Sequence, residues 1–291
     1  MYTNKEIWNV SYPIFLGLLA QNIINVTDTA FLGRVGEVEL GASAMGGLFY
    51  ICVFTIAFGF SVGSQILIAR RNGEGRYKDV GPVMIQGGTF LLGLAVLMFG
   101  LTHLLAPSIV RLLISSDSIF DATMEFLNWR IWGFFFAFVN VMFRALYIGI
   151  TRTKVLTMNA VVMALVNVLL DYILIFGKLG FPALGVTGAA VATLFSRIIE
   201  AAVMVVYVRC IDKKLKLRFA DLLKRGGELT RDFLRYGLPI MGGQVVWSVN
   251  MLGQTMILGR YDAGVIAAVS IANMLLSLIH ISEPTRHAQI S

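Results

Sequence analysis

The feature that most restricts this sequence is apolar text that keeps recurring at bilayer length. A helix needs about 20 predominantly apolar residues to cross the hydrocarbon core of a membrane. Seven segments reach that length, at about residues 7–32, 40–69, 81–106, 123–149, 155–177, 184–209 and 233–258, and an eighth starts near 264. In lipid each segment must satisfy its own backbone polar groups, which leaves helices as the spanning form for runs of this length. The expected fold class is an all-α polytopic membrane protein. Composition agrees, since only 14% of the residues are charged against about 25% in a soluble domain.

Charge placement then predicts sidedness. A formal net charge of +7 would suggest nucleic acid in a soluble chain, but here the basic residues collect in alternate loops, so no nucleic-acid partner is expected. The N-terminus and loops 70–80, 151–154 and 210–232, with their flanks, hold 16 Lys and Arg. Loops 34–39, 107–122, 178–183 and 259–263 hold four: Arg34, Arg111, Lys178 and Arg260. The positive-inside rule puts the N-terminus in the cytoplasm, and the expected location is the plasma (inner) membrane. The first segment is too long for a signal peptide and lacks a cleavage site, so it stays as a helix. Cys52, inside a span, and Cys210, at the edge of a basic loop, offer no disulfide.

An internal repeat predicts the architecture. Residues 12–47 align without gaps on 238–273 at a constant shift of 226, pairing Pro13 with Pro239, Gly17 with Gly243, Thr29 with Thr255, and Leu32-Gly33-Arg34 with Leu258-Gly259-Arg260. The seventh segment therefore restarts the pattern of the first after six spans, an even number, so the two halves run parallel. The expected organisation is a six-helix lobe over 1–209, a basic cytoplasmic linker over 210–232 and the start of a second lobe over 233–277. The text HISEPTR falls opposite mid-helix residues 54–60. Residues 278–291 accordingly read as a non-native tail on a truncated chain.

Four polar side chains interrupt the spans. Asp28 lies late in the first, Asn167 and Asp171 share one face of the fifth because they are four apart, and Thr193 lies in the outer half of the sixth. An acidic residue at the bilayer centre costs about 2.5–3.5 kcal/mol on insertion scales, so such residues mark ion paths or wet cavities. Two carboxylates, an amide and a hydroxyl at one depth form an oxygen-rich site for a hard cation or a proton. The alternative is that neighbouring helix polar groups satisfy each acid separately. A cation and a proton would compete for the same oxygens, which is the physical basis of an ion-driven cycle.

Other patterns read as structural. Arg197 and Glu200, three apart, read as an ion pair on one helix face. Gly59-Phe-Ser-Val-Gly63 matches a nucleophile-elbow pattern but lies inside an apolar helix, where its glycines serve packing. The three histidines have no metal-ligand spacing, and there is no phosphate-binding glycine loop. No enzyme and no cofactor beyond a coupling ion are expected. The aromatic residues, Trp129, Trp132 and Phe134 among them, read as interfacial anchors or as a lining for flat cations.

Together, Pro13 with Asp28-Thr-Ala-Phe-Leu-Gly-Arg34, the loop GITRTK, Asn167-Val-Leu-Leu-Asp171 and GVTGAAVAT resemble the multidrug and toxic compound extrusion (MATE) family over residues 1–277. The resemblance implies twelve helices in two lobes and efflux of amphipathic organic cations in exchange for Na+ or H+, by a protein acting as a monomer. It implies that Asp28, Asn167, Asp171 and Thr193 form the coupling site and that Pro13 marks a bend in the first helix. Alternatives are a lipid-linked glycan flippase of related architecture and a non-transporting membrane component. The second repeat carries Gln254 opposite Asp28, so the scaffold is duplicated and the charge is not.

Overall fold

The computed structural model describes residues 4–114, 116–212 and 227–258. Among these residues there is no strand. The helices are α1 (Asn4–Val35), α2 (Glu37–Gly73), α3 (Val80–Leu113), α4 (Asp117–Arg130), α5 (Gly133–Gly149), α6 (Lys154–Phe176), α7 (Gly185–Val206) and α8 (Gly227–Leu258). Five of them are long and apolar enough to cross a membrane, six spans when α4 and α5 are taken together as one. The last span reading, 233–258, forms the helix α8 but is not among those spans. Gln244, Asn250 and Gln254 dilute its apolar character. Most of the linker reading (213–226) and the tail reading (278–291) lie outside the described residues.

The structure corrects the fourth segment. Residues 123–149 are not one helix: α4 starts at Asp117, ends at Arg130 and meets α5 at a bend of 54°. At the break the Phe134 N–H donates to the Ile131 carbonyl at 3.0 Å, three residues back, so a tighter turn replaces the α-helical ladder. The expected loop 107–122 shrinks accordingly. α3 continues through Pro107 to Leu113, and α4 begins four residues later, at Asp117, with Thr123, Phe126 and Leu127 buried.

α1 and α6 lie side by side in one direction. Thr157 donates to the Pro13 carbonyl at 2.7 Å, and a Cβ on Gly17 would lie 3.8 Å from that of Ala160. These contacts share a residue offset of 143–144, which carries Asp28 to Asp171. α1 runs through Pro13 without a break in helical structure. α6 ends on Gly177 in the left-handed region, at φ 66°, where a Cβ would lie 2.6 Å from the Ala183 nitrogen. This C-cap turns the chain into α7, whose Gly188 fits against the Leu174 carbonyl of α6.

Among the described residues, apolar packing falls into three groups. Phe60, Phe134, Phe138, Leu146 and Tyr147 anchor the one between α2, α3 and α5. Leu32, Phe49, Val110, Phe126, Ile175 and Val186 form a second, and Ala20, Ile24, Met163 and Ala164 a small third between α1 and α6. Outside these groups the helices present large apolar side chains, among them Val96, Leu104, Leu165 and Leu169. Such continuous apolar surface suits hydrocarbon and is rare on soluble monomers.

Candidate functional site: an acid pair between two apolar layers

One face of α1 reads Ile24, Asp28, Leu32, and the facing side of α6 reads Met163, Asn167, Asp171, Ile175, each at helical spacing. Ile24 and Met163 belong to one apolar group, and Leu32 and Ile175 to another. The polar residues therefore form a single layer with a hydrophobic plug on either side. Within it the carboxyl groups of Asp28 and Asp171 face one another at hydrogen-bonding range. Asp171 and Asn167 are fully buried.

Among the described residues no N–H or O–H donor reaches either oxygen of Asp171, Oδ1 of Asp28 or the Asn167 amide oxygen, and the Asn167 amide nitrogen finds no acceptor. Leaving buried polar atoms without partners costs about 1–3 kcal/mol each, more when they are charged. Two ionised carboxylates also repel at this range. A proton shared between the two, or a small cation among their oxygens and the Asn167 carbonyl oxygen, would relieve both penalties. The donor set thus fits a hard monovalent ion. Among the described residues no group of three or more His, Cys, Asp and Glu side chains gathers.

The other predicted positions fall as follows. Thr193 is buried, and its hydroxyl donates to the Ala189 carbonyl at 3.0 Å, one turn back on α7. It lies five residues beyond the Gly188–Leu174 contact, level with the stretch between Asn167 and Asp171. Its oxygen can still accept, but its proton is engaged within its own helix. Pro13 lies four turns from Asp28 on α1, held by the Thr157 bond. Gly59 and Gly63 serve packing: a Cβ on Gly63 would lie 2.7 Å from the Gly237 Cα of α8.

Two clusters go beyond what the sequence predicted. Arg197 and Glu200 form the expected ion pair at 2.8 Å, but it is largely buried and extends further. Asn140 of α5 donates to Glu200 at 2.7 Å, and Arg197 reaches Gln21 of α1 at 3.5 Å. The second is Arg130, at the α4–α5 break, with its guanidinium 4.8 Å from the Tyr50 ring centre and 5.5 Å from that of Phe126. Sequence reading passed over Arg130 because it took 123–149 as one span. The available signal was an arginine flanked by Trp129 and Trp132, inside text too apolar for a loop. Farther along, Arg152 of the GITRTK loop pairs with buried Asp212 at 3.0 Å.

Comparison with known proteins identifies the family. The MatE family model matches residues 13–173, just over half of the chain. Over 238 residues the chain is 26% identical to a probable multidrug resistance protein NorM of Pasteurella multocida, covering 81% of this chain and 51% of the relative. A protein of the same name from Halalkalibacterium halodurans is 27% identical, covering 93% and 59%. The chain thus spans about half the length of the curated relatives it matches. Among solved structures, a MATE protein in a bent conformation shares the fold at a TM-score of 0.84, with 22% identity, covering 95% of this chain and 61% of that one. An outward-facing multidrug resistance MATE transporter matches at 0.76, with 23% identity and coverages of 88% and 62%. With its helical order, its paired acids and the family match over both of them, the chain belongs to the multidrug and toxic compound extrusion (MATE) family.

Proposed function

We propose that this chain forms the ion-coupling lobe of a secondary antiporter that exports amphipathic organic cations in exchange for Na+ or H+. The observation that carries this reading is the layer between α1 and α6, where Asp28 and Asp171 face one another with oxygens that no protein donor reaches. Asn167 supplies a further oxygen, and Thr193 stands at the same level on α7. An ion entering that layer binds two helices at once, so its arrival and departure change how α1 packs on α6. It drives transport only if the inward- and outward-open states hold it unequally. Pro13 is where α1 yields in this reading, because proline removes one helical hydrogen bond.

In the same reading the N-terminus is cytoplasmic, the membrane is the plasma (inner) membrane and the protein acts as a monomer. The basic loops support the sidedness. The test uses the full-length gene in an efflux-deficient host, comparing drug tolerance for wild type, Asp28→Asn and Asp171→Asn. Each variant is expected to lose most of the drug tolerance that wild type confers, because an ionisable group within a span marks the ion path. Variants that export as well as wild type would sink the proposal. Transport in vesicles under separate sodium and proton gradients identifies the coupling ion.

A further inference from the structure

Buried charge must be balanced, and around the acid layer the balance is one short. Arg197 is already paired with Glu200 at 2.8 Å. Arg130 is not committed in this way: its guanidinium rests on the faces of Tyr50 and Phe126, and its Nε is buried without a hydrogen-bond partner. It closes no salt bridge among the described residues. Phe126, on which it rests, packs in one apolar group with Leu32 and Ile175, each one helical turn beyond an acid of the layer, Asp28 and Asp171, and the charged side chains that act on Arg130 are Asp28, Asp171 and Arg197. Two carboxyl groups thus stand against one uncommitted guanidinium.

We infer that Arg130 is the resident counter-charge of the Asp28–Asp171 layer, making it a site for one monovalent ion that excludes a second charge or a divalent cation. The inference rests on the proposed ion site and adds its charge capacity. A guanidinium keeps its charge at every physiological pH, so it is a fixed element of the field, unlike the ion that comes and goes. Its placement suits that role. Aromatic faces hold the cation without neutralising it, and the α4–α5 break sets it beside the layer and not within it. An arginine in direct contact with the carboxylates would occupy the site permanently. One held back lowers the charge of the layer and leaves its oxygens open.

The test uses the purified 291-residue chain in detergent, with sodium binding measured by equilibrium dialysis at one fixed alkaline pH for every variant. Wild type is compared with Arg130→Gln, Arg130→Lys and the double variant Arg130→Gln/Asp171→Asn. Arg130→Gln is expected to bind sodium at least about tenfold more tightly than wild type and to gain calcium binding. Arg130→Lys keeps the charge and should stay within about threefold of wild type, and the double variant, which removes one ligand carboxylate with the guanidinium, should lose the gain in sodium and calcium binding. An Arg130→Gln chain that binds sodium no more tightly than wild type overturns the inference. If that variant instead unfolds, the double variant is expected to recover the melting temperature, and failure to recover it is equally fatal. Sodium that Arg130→Gln gains and retains after Asp28→Asn and Asp171→Asn are added lies elsewhere, which sinks the acid-pair reading itself. Sodium lost in that triple variant, with Arg130→Gln no tighter than wild type, removes only the role of Arg130.

Discussion

Gly177 and Asp171 lie six residues apart on α6 and its cap, and they show two ways a single residue is constrained here. At Gly177 the constraint is backbone: φ is 66° and a Cβ would meet the Ala183 backbone at 2.6 Å. Gly177→Ala is expected to lower stability by about 1–3 kcal/mol, the usual cost of a strained left-handed position, seen as a lower melting temperature in detergent. At Asp171 the constraint is chemical, since its oxygens find no donor. Thr157 offers a milder case. Thr157→Val removes the 2.7 Å bond to the Pro13 carbonyl and should cost about 1 kcal/mol by the same measurement. The repeat also shows at this scale, because Thr29 and its counterpart Thr255 both donate to the carbonyl one turn back, at 2.8 and 2.9 Å.

Between elements, α1, α5 and α7 are tied by the Arg197–Glu200–Asn140–Gln21 network. The pair itself is only 13% and 14% exposed, so removing one partner strands a buried charge. Arg197→Leu is expected to destabilise the chain by about 3–5 kcal/mol, whereas Arg197→Leu/Glu200→Leu should recover most of that loss. A double-mutant cycle on thermal melts checks it, and equal melting of the single and double variants would contradict it. The α2–α8 crossing depends instead on the absence of side chains. Gly63→Val places methyl groups where the Gly237 backbone now lies, and overpacking of this kind costs about 1–3 kcal/mol. Its companion bond, Thr55 to Ser248 at 3.1 Å, should break as the helices separate. Crosslinking between cysteines introduced at those two positions should then fall in the Gly63→Val background.

For the whole molecule, the testable property is sidedness. Cys52 is buried and Cys210 exposed, so the natural cysteines form a ready probe. With the N-terminus cytoplasmic, a membrane-impermeant maleimide should leave Cys210 unlabelled in intact cells and label it in inside-out vesicles, with Cys52 protected in both. Labelling of Cys210 from outside would reverse the orientation.

Much of this protein was legible without coordinates, for a physical reason: in lipid, length and apolarity alone specify a spanning helix. Hence the helical class, most of the spans and the restart at α8 could be read from one line of text. The expense of an acid in hydrocarbon likewise singled out Asp28 and Asp171, and their similar depth followed from counting spans. What hydropathy does not encode is direction. The 54° bend that divides the fourth segment leaves the apolar content of that stretch unchanged, so no window on the sequence registers it. Which helices touch is also invisible there: that α1 runs beside α6 with its acid facing Asp171, and that Arg130 stands nearby on two aromatic faces, are consequences of packing among residues up to 143 positions apart. The sequence by itself determined that two costly acids lie within the membrane. Only the tertiary structure decided that they meet, and that one cation is held beside them.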